Sequence, residues 1–199
     1  MPRVTGQIDE AKTEAILEAA SALLAEKGMA TSMDAIARRA GVSKQTLYNR
    51  FASRIEIARA LAERRSDAIT APLRTGADPE AVLTAFATSL LEKICGGDMK
   101  TSMRGVALVS PHAPDLAQAI YDAGPAESLR RLSAWLVEKD RKGLLRVPDP
   151  DLAAEMFSGM VLGHGHLRGI LGVQQPDAAG IPARAAETAR RFMRAFAPD

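Results

Sequence analysis

Residues 31–54 read Thr31-Ser-Met-Asp-Ala-Ile-Ala-Arg-Arg-Ala-Gly41-Val-Ser-Lys-Gln-Thr-Leu-Tyr-Asn-Arg-Phe-Ala-Ser-Arg54, two short runs of helical spacing hinged at a glycine, with cations gathered around the second. Thr31 with Asp34 three residues on has the pattern of a capping box, so a helix is expected to start there and to turn Ile36 and Ala37 inward. It must stop at Gly41, since glycine enters a left-handed backbone without a Cβ penalty. Ser43 then stands as the N-cap of a second helix, Lys44 to Arg50, in which Leu47 and Phe51 lie four apart and bury together. Lys44, Gln45, Tyr48 and Asn49 are left outward, a row of donors and acceptors of the kind a major groove accepts. Ser53 with Glu56 is a further capping box and opens a longer helix, with Arg54 at its mouth, where a guanidinium can clamp a backbone phosphate. This is a helix-turn-helix pattern, and it points at DNA.

The charge distribution agrees. The 199 residues carry a formal net charge of only +2, but between Lys27 and Arg54 six cations (Lys27, Arg38, Arg39, Lys44, Arg50, Arg54) face one anion, Asp34. That local excess of five leaves the remainder of the chain mildly acidic, the footprint of a protein with one end for a polyanion. A solvated basic face explains a charge run alone; caps, hinge glycine and polar outward row together favour the nucleic acid.

At these residues the chain resembles the amino-terminal domain of TetR/AcrR-type bacterial transcriptional regulators. The match is Ala37-x-x-x-Gly41-Val42-Ser43-x-x-Thr46-Leu47-Tyr48-x-x-Phe51, extended backward through Ile16, Ala19, Ala20, Leu23 and Leu24 and forward past Ser53. The resemblance implies Lys44, Gln45 and Asn49 as base readers. It implies Ser32, Thr46, Tyr48, Arg50 and Arg54 as phosphate contacts, with Arg3 reaching DNA from an arm. Two positions depart from the family pattern: asparagine at 49, where an aromatic or histidine is usual, and arginine at 54, where lysine is usual. Arginine keeps the phosphate role; Asn49 either reads an adenine or is solvated. Farther on, Gly124-Pro125-Ala126 and the run from Gly143 to Ala154 resemble the regulatory half of one subgroup, which implies an all-helical ligand-sensing and dimerisation domain.

The expected fold is therefore all-α: a helix-turn-helix domain over 1–53 and a helical regulatory domain over 54–199, joined directly through the helix that follows Ser53. At 47% hydrophobic content the chain can bury a substantial core. Asp78-Pro79 starts a helix carrying Leu83, Phe86, Leu90 and Ile94 on one stripe. Shorter helices are expected from Lys100 to Val109 and from Leu116 to Asp122, and a longer one from Pro125 to Lys142 with Leu129, Leu132 and Leu136 inward. The segment from Asp149 to Gly172 reads as a helix although it holds Gly159, Gly163, Gly165 and Gly169, each costing about 1 kcal/mol against alanine. Small residues at four-residue spacing let another backbone approach closely, so a dimer interface is expected at Gly159 and Gly163, with Phe192 and Phe196 of the last helix, about Pro182 to Ala197, as its second member. The alternative is that these glycines kink the helix or admit a ligand.

Met99, Met103, Tyr121, Trp135, Met156, Phe157 and Met160 are candidate lining for an effector pocket, since soft and aromatic side chains suit an adaptable cavity. Metal chemistry is not expected: His164 and His166, two apart on a helix, point about 200° from each other, and His112 has no ligand at recognised spacing. No phosphate loop, nucleophile elbow or paired-acid signature is present, so an enzyme is the weaker class, and no cofactor is expected. Cys95 is the only cysteine, which excludes an intramolecular disulfide and suits a reducing compartment, with a small buried side chain as its expected role. Met1 to Lys12 lacks the apolar core of a signal peptide, and no run reaches the ~20 apolar residues of a membrane span, so a cytoplasmic location without membrane contact is expected. The reading is a ligand-responsive repressor, bound as a homodimer to a palindromic double-stranded operator. The alternative is a small α-helical enzyme or binding protein whose basic end serves an acidic partner.

Overall fold

The computed structural model describes residues 5–27, 31–76, 78–95, 103–108, 110–173 and 178–198. Arg3, Met99 and Lys100 lie outside the described residues, as does the side chain of Cys95. Ten α-helices follow one another without a strand among the described residues: α1 (Thr5–Lys27), α2 (Met33–Arg39), α3 (Lys44–Tyr48), α4 (Arg54–Thr70), α5 (Pro79–Cys95), α6 (103–108), α7 (Pro114–Tyr121), α8 (Glu127–Arg141), α9 (Pro150–Leu171) and α10 (Ile181–Ala195). The all-α expectation holds. They fall into two compact units, Met1–Glu63 with Thr101–Ala123, and Arg64–Lys100 with Gly124–Asp199. The division lies inside α4.

In the first unit α1 turns Ile16, Ala19, Ala20 and Leu23 inward, and these bury with Ile36 and Ala37 of α2, Leu47 of α3, Phe51 and Ile57. Helices this short are not stable alone, so their ends are tied by side chains. At α2 the cap is Ser32, whose Oγ accepts from the amide of Ala35 at 3.2 Å. Thr31, expected in that role, is buried and donates its hydroxyl to the Leu23 carbonyl at 3.2 Å. The cap moved one residue because the threonine is used to tie α2 back to α1. Gly41 takes φ 65°, the left-handed turn that separates α2 from α3. Ser43 caps α3 by accepting from the amide of Thr46 at 3.0 Å, as its position predicts. The helix closes at Tyr48 rather than Arg50, with Asn49 as its C-cap. At α4, Ser53 accepts from the amide of Glu56 at 3.3 Å, and the Glu56 carboxylate reaches back to the amide of Ala52 at 2.7 Å.

The second unit has the larger core. Val82, Leu83, Phe86 and Leu90 of α5, Leu132, Trp135 and Leu136 of α8, Phe157 and Val161 of α9, and Ala185, Ala189 and Phe192 of α10 are buried together. Each large apolar side chain so covered contributes about 1.5–3 kcal/mol relative to exposure. Rings run through it in series: Phe86 to Phe157 at 6.0 Å, Phe157 edge-on to Phe192 at 5.0 Å, and Phe192 to Phe196 at 4.5 Å between centroids. α8 begins at Glu127 rather than Pro125, because a π-helical segment, Asp122–Ala126, carries the chain on from α7 with Pro125 inside it. A wider turn suits a residue that lacks an amide donor. Ser66 of α4 and Ser128 of α8 share a buried hydrogen bond of 2.9 Å. Arg131 joins the same two helices, paired with Asp67 and donating to Thr70 at 3.0 Å.

α9 is capped by Asp149, which accepts from the amide of Leu152 at 3.0 Å, with Pro150 at its first position, and it ends at Gly172 in a left-handed conformation. Gly163 breaks it internally, with φ 46° and ψ −155°. The carbonyls freed at the break are taken by Arg184 of α10: Nε donates to Val161 O at 2.7 Å and Nη2 to Met160 O at 3.3 Å.

Candidate nucleic-acid interface

α3 is held from below and left open above. Leu47 is fully buried and Phe51 nearly so, which fixes the rotation of the helix about its axis. On the other side Lys44, Gln45, Tyr48 and Asn49 are all exposed. Gln45 Nε2 donates to Asn49 Oδ1 at 2.8 Å, so the two amides one turn apart are aligned by each other, and each retains further donors or acceptors. Lys44 Nζ pairs with Asp34 of α2 at 2.5 Å, with both side chains well exposed. A pair of that kind contributes little stability, so it can be exchanged at small cost. Thr46 exchanges a 2.8 Å hydrogen bond with Ser43 through its hydroxyl. Ser32 is exposed at the start of α2, where unpaired helix amides favour an anion.

Two of the cations expected to hold phosphates also donate to their own chain. Arg50 is half-buried and donates through Nη1 to Thr13 Oγ1 of α1 at 3.0 Å: the chain leaves α3 before residue 50, so that side chain swings back toward α1. Arg54 donates to the Thr31 carbonyl at 3.4 Å and so ties the start of α4 to the start of α2. The pairing of Asp34 with Lys44 and the part of Thr13 were not assigned in the sequence reading. Asp34 is legible as the lone anion of the basic stretch; Thr13 carries no signal, because only the fold brings α1 to residue 50.

The other expected sites lie mostly on α8, α9 and α10. Phe192 is buried edge-on to Phe157, which corrects its expected place against a second copy, while Phe196 is half-buried and stacks on Phe192 at the edge of the same core. Gly163 also faces its own chain, because the space where its Cβ would stand is filled by the Arg184 guanidinium. Gly159 is exposed with open space beside it. Along the same outward side of α9 stand Leu152 (53% exposed), Met156 (49%) and Met160 (40%), one turn apart, and beyond the break Leu167 and Leu171. Met156 and Met160 are therefore surface residues, which corrects their place in an interior lining; Tyr121 is likewise exposed, and Met103 is half-buried. Trp135 is buried.

On α8, Glu127 accepts from Arg130 and Arg131, and these hydrogen bonds, Arg130's first, hold its carboxyl down to about 2 against the opposing effect of burial. Burial lowers the pKa of His166. Among the described residues no three His, Cys, Asp or Glu side chains converge on a point that would hold a metal ion. No described helix is long and apolar enough to cross a membrane.

Residues 16–61 match the family model described as bacterial regulatory proteins, tetR family, and residues 81–198 match that of the AefR-like transcriptional repressor, C-terminal domain. Among solved structures, the flavonoid-responsive regulator FrrA is 31% identical, over 94% of this chain and 97% of its own, with a TM-score of 0.69. A TetR transcriptional regulator from Agrobacterium tumefaciens is 25% identical, over 94% and 95%, with a TM-score of 0.77. A TetR-family protein from Mesorhizobium loti, at 24% identity over 95% and 98%, shares the fold with a TM-score of 0.79. No curated protein matches the chain.

Proposed function

The chain belongs to the TetR family of bacterial transcriptional regulators, which bind DNA and are not enzymes, and from that premise we propose that it is a ligand-responsive repressor acting as a homodimer on a palindromic operator. The observation that carries the reading is the exposed row of Lys44, Gln45, Tyr48 and Asn49 on a helix whose rotation is fixed by buried Leu47. In this reading residues 1–53 form the DNA-binding domain and 54–199 the regulatory domain. Lys44, Gln45 and Asn49 meet base edges, while Ser32, Thr46 and Tyr48 hold phosphates. Arg50 and Arg54 also hold phosphates in this reading, each keeping one N–H on its own chain and offering others outward.

A dimer supplies two such helices, about 34 Å apart for successive major grooves. The exposed apolar stripe of α9, Leu152, Met156 and Met160, supports α9 as the contact between copies, since a row of large apolar side chains on one face is what association buries. Small-molecule response is supported by the relative named as flavonoid-responsive. An effector that binds better to a conformation with the wrong spacing between recognition helices releases DNA by that difference in affinity.

Footprinting on the DNA upstream of its own gene tests this. The expected result is a two-fold symmetric protected site whose affinity falls steeply with added salt. Absence of any protected site at low ionic strength would overturn the reading in favour of a helical protein with an acidic partner.

A further inference from the structure

We propose that the inner face of α8 binds the carboxylate of a small apolar acid through Trp135 and Lys139, and that such acids are the effector class; the proposal rests on the ligand-responsive reading above. Trp135 is only 4% exposed, and its indole Nε1–H has no acceptor among the described residues. One turn on, Lys139 is 8% exposed, with its ammonium 5.0 Å from the centre of the Trp135 ring. Its ion pair with Glu138 Oε1 is long, 3.7 Å, and that same oxygen accepts from Lys142 at 2.5 Å. The flanking positions of the stripe, Leu132 and Leu136, are fully buried.

An indole N–H without an acceptor is costly to bury, and the ammonium beside it, 3.7 Å from the carboxylate it pairs with, still has N–H donors to offer. The ring face compensates the cation only in part. Both groups are donors, they stand one helical turn apart, and the tryptophan lies in an apolar core. A carboxylate carries two acceptor oxygens, one for each donor, and neutralises the ammonium. An apolar body suits the neighbouring leucines, whereas a neutral amide of the same body leaves the charge uncompensated. Glu127, held ionised by Arg130 and Arg131, is already committed at the start of α8, two turns before Trp135, and does not supply that acceptor.

Trp135 is the only tryptophan in the chain, so its emission reports on the site directly. The full chain is titrated with decanoate and, in parallel, with decanamide. The expected result is a saturable change in emission with decanoate, at an affinity about tenfold or more above that for decanamide. Lys139→Met removes that preference, and Lys139→Arg retains most of it. Equal affinity for acid and amide, no saturable change, or a preference that survives Lys139→Met overturns the proposal. The comparison of acid with amide on the unaltered chain decides the matter even where a variant fails to fold. Adding decanoate to the protein–operator complex keeps the two readings apart. Binding at Trp135 without release of DNA leaves the acid site standing and removes the ligand-responsive reading; release by neutral compounds alone does the reverse.

Discussion

α3 and α9 both turn a face outward, and the two faces are opposite in kind. α3 is five residues long, anchored by Leu47, and shows solvent Lys44, Gln45, Tyr48 and Asn49. α9 is 22 residues long, anchored by Ala153, Ala154, Phe157 and Val161, and shows solvent Leu152, Met156 and Met160. A polar row of mixed donors and acceptors keeps its hydration until a partner with matching groups replaces it, so its binding is specific and salt-dependent. An apolar row gains from any surface that covers it, so its binding scales with area and is nearly indifferent to salt. The difference also shows how each helix is held: the short one needs Ser43 at its end, while the long one tolerates a break in its middle because its core and Arg184 hold both halves.

The sharpest way to break this comparison is to put charge on the apolar row. Met156→Glu combined with Met160→Glu buries four carboxylates in a dimer and is expected to raise its dissociation constant on the order of a thousandfold, measured by sedimentation. An unchanged dimer would move the contact away from α9. Next in size, Leu47→Ala removes the anchor of α3 and is expected to cost about 3 kcal/mol in denaturant unfolding, with operator binding lost in parallel. Gln45→Ala should weaken binding to the cognate operator by about 2 kcal/mol while leaving random DNA nearly unaffected; an equal loss on both would make Gln45 a bystander. Ser43→Ala is expected to cost about 1 kcal/mol, with no counterpart at the Gly163 break, where the cap is an arginine from another helix.

The smallest effect is one of pH. Because the folded state holds the Glu127 carboxyl below its ordinary value of 4.5, at about 2, its contribution is complete above pH 4.5 and disappears as the pH falls toward 2. Glu127→Gln should therefore flatten the acid limb of the stability curve in that window and leave the neutral region displaced by a constant. A variant with the same acid limb as the parent would assign that slope to other carboxylates.

Most of the first unit was legible because its signals are local. Gly41 at the turn, Ser43 at the cap, Leu47 inward and Ser53 with Glu56 each act within four residues of themselves. The one misplaced cap, Thr31 for Ser32, failed for a tertiary reason: two adjacent hydroxyl residues are equally competent, and the carbonyl of Leu23 in α1 decides between them. α9 was legible as a helix, with its break present only as the alternative to a close-packing groove. Four glycines at helical spacing read alike as a close-packing groove or as a kink, and the choice depends on Arg184, which no local pattern ties to Gly163. Phe192 faces inward for a similar reason, since a stripe reveals that a face is apolar and not which neighbour it meets. The Trp135–Lys139 pair left only half a trace: the tryptophan stood out, but a lysine near the end of a charged helix looks like any solvated cation.

The break in α9 also restricts how this sequence can drift. Any side chain larger than hydrogen at position 163 meets the guanidinium of residue 184 and a backbone angle it disfavours, while shortening residue 184 strands the carbonyls of Met160 and Val161. Neither site has a neutral single step open to it, so descendants should keep both or replace both together, inheriting the pair as one unit.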